Sequence, residues 1–196
     1  MNIESIGIPF NVDNIDTDQI IPANYLKQTN KTGYGKHLFQ HLRYYQSGDE
    51  NPDFILNQPT YKGAEILIAG HNFGCGSSRE HAAWALADYG FKAIISSGFA
   101  DIFKGNAYNN NILPIELPAE VIARIFHLLD HYPETLIQID LKNQTVNLGN
   151  GMIEQQFAID SFKKECLLSQ LDETTYLVKL RNEIEVFEQQ YKQALV

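Results

Sequence analysis

The residues best equipped for chemistry lie in one short run, Asn72-Phe73-Gly74-Cys75-Gly76-Ser77-Ser78-Arg79-Glu80-His81-Ala82. Arg79 offers a planar fork that can hold a carboxylate at two points, which a lysine cannot reproduce, and Ser78 and the loop amides add donors. Ser77 is a second hydroxyl beside them and a candidate for proton transfer, because positive potential favours its alkoxide. The spacing of Ser77 and Glu80 fits a capping box and predicts a helix starting at Ser77 or Ser78. Such a helix would aim unpaired N–H groups and the positive end of its dipole at an anion in the loop. A plainer reading, in which both serines only cap the helix, stays open at this point.

Two nucleotide motifs fail here. A phosphate loop needs a lysine after its second glycine, and Gly76 is followed by Ser77-Ser78-Arg79. A dinucleotide fingerprint needs a third small residue where Arg79 stands. Nucleotide binding is therefore not expected.

The elements that must position this loop follow from periodicity. The apolar run Glu65-Ile66-Leu67-Ile68-Ala69-Gly70 reads as a buried strand and Ala82-Ala83-Trp84-Ala85-Leu86-Ala87 as the helix after it. Residues 92–96 and 112–116 read as further strands around a short helix over 99–106, which implies parallel neighbours. Pro118 opens a helix through His131, whose His127 and His131 lie one turn apart with no third ligand in view, so a solvated face is expected. Residues 136–158 alternate around Lys142-Asn143-Gln144 and Gly149-Asn150-Gly151, a small β meander. Residues 160–170 and 174–195 read as helices, the second with a stripe of Tyr176, Leu177, Leu180, Ile184 and Phe187 expected to be core.

With 196 residues and 44% apolar content, the chain can bury a sizeable core, and a single domain over 1–196 is expected, with 160–196 a C-terminal helical extension. A net charge of −9 without a basic run argues against a nucleic-acid partner. No segment approaches a membrane span, and the start Met1-Asn2-Ile3-Glu4-Ser5 is unlike a signal peptide, so no membrane partner and a cytoplasmic location are expected.

Residues 72–82 together with Ala93-Ile94-Ile95, Phe99-Ala100-Asp101-Ile102-Phe103, Asn106 and Leu113-Pro114-Ile115 resemble the swivel domain of the aconitase superfamily. More narrowly, with residues 11–22, 32–39, 51–57 and Ile159-Asp160, most of the chain resembles the small-subunit family of bacterial 3-isopropylmalate dehydratase. Gly98, Ala83 and His71 depart from the family wording, where Ser, Pro and an acidic or otherwise charged residue are usual. The resemblance implies an α/β fold, an aconitase-like swivelling β/β/α domain with a mostly parallel central sheet, the meander and C-terminal helices.

It also implies a hydro-lyase of leucine biosynthesis, interconverting 2-isopropylmalate and 3-isopropylmalate through isopropylmaleate. Ser77 and Asp18 are then the catalytic residues, and Ser78, Arg79, Thr32, Gly33 and Tyr34 bind a small dicarboxylate hydroxyacid. A 4Fe-4S cluster held by three cysteines belongs to the superfamily. This chain has only Cys75 and Cys166, so no metal or cofactor is expected on it and the cluster is expected on a large-subunit partner, with this chain closing over it as a lid. Cys75 reads either as a reactive thiol or as a small packed side chain. Asp13 and Asp16 read as turn residues accepting backbone N–H bonds, since the run lacks the glycine and glutamate of a calcium loop.

The loop over residues 27–36 lacks an arginine, which suits a substrate with an alkyl group there; Lys27 and Lys31 are weaker carboxylate contacts. The aromatic stretch over residues 38–45 is a candidate subunit contact. Two alternatives stay open, a related hydro-lyase of the citraconate or homoaconitate type and a non-catalytic anion-binding scaffold.

Overall fold

The computed structural model describes residues 1–26 and 30–194; Lys27 and Thr29 of the expected substrate loop lie outside the described residues. Among the described residues seven strands form one mixed sheet, in the order β4-β3-β2-β1-β5-β6-β7. The strands are β1 (Asn2–Phe10), β2 (Ile66–Ala69), β3 (Ala93–Ser96), β4 (Leu113–Glu116), β5 (Leu136–Asp140), β6 (Thr145–Leu148) and β7 (Ile153–Gln156). The helices are α1 (Thr17–Ile20), α2 (Gln40–Arg43), α3 (Glu80–Tyr89), α4 (Asp101–Asn109), α5 (Ala119–His131), α6 (Ser161–Ser169), α7 (Glu173–Lys179) and α8 (Arg181–Ala194).

The strand β1, which periodicity did not single out, is the join of the sheet. Residues 2–6 pair antiparallel with β5, and residues 7–10 pair parallel with β2. The parallel strands and the meander are therefore one sheet. Gly7 stands at the changeover, where a Cβ would come within 2.5 Å of Ile137.

Parallel strands buried on both faces need apolar side chains at every position. Ile66 and Ile68 of β2 and Ile95 of β3 pack under α5, while Leu67, Ala69 and Ile94 pack under α3 and α4 with Phe73 and Phe103. The meander buries one face only, through Ile137, Ile139, Val146 and Leu148.

One expectation changes. The C-terminal stretch is two helices meeting at Leu180, and most of its stripe is not core: Leu177, Ile184 and Phe187 are exposed, while Tyr176 and Leu180 are half-buried. Its covered end is Tyr176, edge-on to Phe162 of α6, a helix that itself buries Cys166 and Leu167. Residues 38–45, the candidate subunit contact, are partly interior, with His41 and Tyr45 exposed. Leu38 and Phe39 are fully buried, Phe39 packs edge-on to Phe10, and the Arg43 guanidinium donates to the Gly35 carbonyl at 3.1 Å.

Candidate active site

The serine loop leaves the C-terminal end of β2 and is held there by the segment before and within α1. The amides of Gly74 and Cys75 donate to the Ile15 carbonyl, the Thr17 amide donates to the Cys75 carbonyl at 2.9 Å, and the Thr17 hydroxyl donates to the Ser77 carbonyl at 2.8 Å. Gly74 has φ +78°, and a Cβ there would sit inside the Phe103 ring, so glycine is required.

These bonds explain why the helix starts later than its spacing predicts. α3 begins at Glu80, with Arg79 extended at the cap position and no side-chain cap. The Ser77 carbonyl is taken by Thr17, and the Glu80 carboxylate turns away from Ser77 to accept from Trp84 Nε1 at 3.0 Å, Asn110 Nδ2 at 3.1 Å and Lys31 Nζ at 3.4 Å. Burial pushes the Glu80 pKa up, but these three donors outweigh it and the net direction is down.

Ser77, Ser78 and Arg79 line a cavity of about 250 Å³ with Thr17, Gly74 and Gly76. Its other wall is the start of α4, Ala100 to Phe103, and Asn106. Two helices thus begin at the cavity, and each presents first-turn N–H groups there. Asp18, on α1, forms an ion pair with Arg79 Nη1, so the structure brings Asp18, Ser77, Ser78 and Arg79 together. Arg79 is largely covered, with 17% of its side chain exposed, whereas Asp18 is open to solvent. The pairing presents the guanidinium beside both serines, where an incoming carboxylate can share it or displace Asp18.

The three loop residues expected to bind substrate stand elsewhere. Thr32 lines a separate cavity of about 450 Å³ with Lys31, Trp84 and Asp88. The amides of Gly33 and Gly35 both donate to the Asp88 carboxylate, at 3.0 and 2.7 Å. Tyr34 is 2% exposed, donates its hydroxyl to the Tyr25 carbonyl, and packs on His81 and Trp84 of α3. The loop is therefore strapped along α3, and Tyr34 supports that helix from beneath.

Asp13 and Asp16 do what turn residues do. Asp13 accepts from the His71 amide at 2.6 Å, and Asp16 caps α1 in a complete capping box with Gln19. Cys75 Sγ donates to the Asn14 carbonyl at 3.3 Å, and Cys166 is buried in α6. The described residues hold no group of three or more His, Cys, Asp or Glu that could bind a metal. His131 Nδ1 contacts the His127 carbonyl at 2.9 Å on an exposed face of α5.

Sequence reasoning missed Thr17 and Asn106 as cavity residues. The resemblance singles out Asp18 and not its neighbour Thr17, and no spacing rule links residue 17 to residue 77. A larger cavity of about 820 Å³, lined by His71, Ser97, His127 and Asp130, holds none of the predicted site residues.

The model of the aconitase C-terminal domain matches residues 3–120. A 3-isopropylmalate dehydratase small subunit of Christiangramia forsetii is 48% identical over 189 residues, covering 96% of this chain and 92% of the relative. The chain belongs to the 3-isopropylmalate dehydratase small-subunit family. Another member, from Karelsulcia muelleri, is 50% identical and covers 94% of this chain and 93% of its own. The solved structure of a 3-isopropylmalate dehydratase from Methanocaldococcus jannaschii superposes with a TM-score of 0.68 at 29% identity, covering 96% of this chain and 99% of that one. The chain is therefore a hydro-lyase subunit with the aconitase-like α/β fold. No helix of the described residues is long and apolar enough to cross a membrane.

Proposed function

We propose that this chain works in the cytoplasm with a cluster-bearing large subunit to interconvert 2-isopropylmalate and 3-isopropylmalate through isopropylmaleate, in leucine biosynthesis. The observation that carries the proposal is the convergence of Arg79, Ser77 and Ser78 at one cavity where two helices begin, with Asp18 paired to Arg79. The site is half of an active site: it binds carboxylate and can hold a proton, and its two cysteines do not fit a cluster that needs three. The iron–sulfur cluster belongs to the large subunit in this proposal.

The chain's own share follows from its groups. Arg79 takes a substrate carboxylate in two-point fashion, with Asp18 holding the guanidinium in orientation until substrate arrives. Ser78 and the loop amides bind the remaining oxygens. Ser77 Oγ accepts the proton from the carbon next to the hydroxyl-bearing carbon and returns it to the neighbouring position, while the partner's cluster, when bound, would supply the Lewis acidity for the departing hydroxyl and for its return as water at the other carbon. A serine alkoxide needs electrostatic support, which the amides of the loop and the starts of α3 and α4 supply. Thr32 and Gly33, which stand outside the serine cavity in the free chain, are assigned to the alkyl end of the substrate on the loop's lack of an arginine alone, with Tyr34 fixing the strap beneath them. Arg43, the only arginine near that strap in sequence, is buried and spent on Gly35 and Asn57, so it offers nothing to a third carboxylate. That favours an isopropyl group over a tricarboxylate.

The test is reconstitution with a large subunit carrying an intact cluster, without oxygen, following the unsaturated intermediate by ultraviolet absorbance. Absorbance that requires both proteins and vanishes in Ser77→Ala, with subunit binding preserved, is the expected result. Reaction of citraconate but not isopropylmalate would move the substrate to the related hydro-lyases, and failure to bind any large subunit would favour a scaffold.

A further inference from the structure

Thr17 is the only residue of α1 that reaches into the serine loop with both its backbone and its side chain. It is 2% exposed, one of few buried polar residues, and it lines the same cavity as Ser77 and Arg79. Its amide donates to the Cys75 carbonyl and its hydroxyl to the Ser77 carbonyl, two acceptors separated by a single residue.

A trans peptide plane carries its carbonyl and its N–H on opposite sides. With the carbonyls of Cys75 and Ser77 both turned onto Thr17, the amides of Gly76 and Ser78 must both point away from it. Among the described residues neither amide donates to a protein acceptor. Gly76 between them has φ +86°, a conformation that favours glycine. The outcome is two unspent amide donors, one on either side of Ser77 in sequence, both turned away from Thr17.

We propose that Thr17 is a positioning residue: by holding the two carbonyls it sets the orientation of the Ser77–Ser78 peptide, and so where the Ser77 hydroxyl and the Ser78 amide meet the substrate carboxylate and the migrating proton. The inference deepens the proposed function and relies on it for the substrate. Thr17 itself touches no reacting atom. Its two bonds are separable, because the amide bond to Cys75 survives any side-chain change, whereas the hydroxyl bond to Ser77 does not.

The experiment compares Thr17→Val, which keeps the shape and loses the donor, with Thr17→Ser, which keeps the donor, in the two-subunit enzyme. A displaced reacting group costs up to about a hundredfold in rate. The expected result is a kcat about 10- to 100-fold lower for Thr17→Val with unchanged subunit binding, and recovery to within about threefold for Thr17→Ser, in keeping with a single neutral hydrogen bond. A Thr17→Val enzyme within twofold of wild type overturns the inference, as does equal impairment of the two variants, which would make Thr17 a packing residue.

If wild type itself fails on isopropylmalate, the functional reading falls and a second measurement judges Thr17 alone. The heteronuclear NOE of the free chain should drop at Ser77 and Ser78 in Thr17→Val and hold at Gly76, its internal control. An unchanged Ser78 value overturns the proposal whatever the substrate.

Discussion

The two halves of the sheet share β1 yet differ in what they can carry. The parallel half, β1 to β4, is buried on both faces, and its strands end beneath loops from which α3 and α4 start; the serine site is built on one of those loops. The antiparallel half, β5 to β7, buries one face, turns tightly at residues 141–144 and 149–152, and presents Gln138, Glu154 and Gln156 to solvent. A crossover must pass a helix over the sheet, so its loop emerges at a strand's C-terminal end with helix N–H groups beside it. A hairpin offers no such place.

The largest effect expected from this contrast is on stability. Leu67→Ala and Ile68→Ala point to opposite faces of β2, and each should cost about 2–5 kcal/mol in denaturant unfolding, because each empties a packed core. In β5 the alternation should show instead: Ile139→Ala costs a comparable amount, while Gln138→Ala stays within about 0.5 kcal/mol. A large loss at Gln138 would break the contrast.

Next in size is Arg79→Lys. Losing the two-point carboxylate grip should cost about 1.5–3 kcal/mol of transition-state binding, roughly ten- to a hundredfold in kcat/KM of the reconstituted enzyme. Arg124→Lys, on the exposed face of α5, should leave kcat/KM unchanged. Equal kinetics for the two variants would detach the serine loop from substrate binding.

What was legible in the sequence divides along the same line. Continuous apolar runs announced β2, β3 and β4, and strict alternation with Asn143 and Gly149-Asn150-Gly151 at the turns announced the meander. The strand β1 was not announced, since Asn2-Ile3-Glu4-Ser5-Ile6-Gly7-Ile8-Pro9-Phe10 mixes the two patterns: it borders the meander over its first half and the parallel core over its second. The site residues were legible as types, because an arginine beside two serines and two glycines is chemically specific. Their geometry was not, because Thr17 meets Ser77 across sixty residues of chain. The apolar stripe of α7 and α8 misled because periodicity reports a face and says nothing of what covers it.

A smaller effect concerns the two departures from family wording that touch one another. Gly98 follows β3, and a Cβ there would lie 2.8 Å from the His71 ring, whose Nδ1 stands 3.3 Å from Ser97 Oγ. Gly98→Ser should therefore cost about 1 kcal/mol of stability, since the ring must swing out. His71→Ala should recover most of that cost in the double variant, a coupling that a double-mutant cycle measures. Additive losses would mean that the two residues merely sit near each other. No equivalent crowding exists in the meander turns, where a Cβ on Gly151 meets nothing within 4 Å.

The smallest effect separates two acids whose pKa values are both lowered, one in each half. For Glu80, burial acts upward and is outweighed by Asn110, Trp84 and the Lys31 charge; for Asp140, at the end of β5, the Asn143 backbone N–H is the leading cause, with the Asn143 side chain adding to it. A depressed folded-state pKa means that each contribution is complete above the unfolded value and is lost as pH falls through the folded one. Stability should therefore decline below about pH 4.5 in wild type, and less steeply in Glu80→Gln or Asp140→Asn. Glu80 is partly exposed, so its share at neutral pH is about 0.5 kcal/mol or less. Salt distinguishes the causes. Part of the Glu80 contribution comes from Lys31 at 3.4 Å and is screened at high ionic strength, whereas the Asp140 contribution rests chiefly on neutral donors, with the N-terminal ammonium the last of its causes, and for the most part persists. Thermal melts across pH at low and high salt should flatten the difference between wild type and Glu80→Gln while leaving that of Asp140→Asn in place. The reverse order would mean that charge, not backbone geometry, secures the meander.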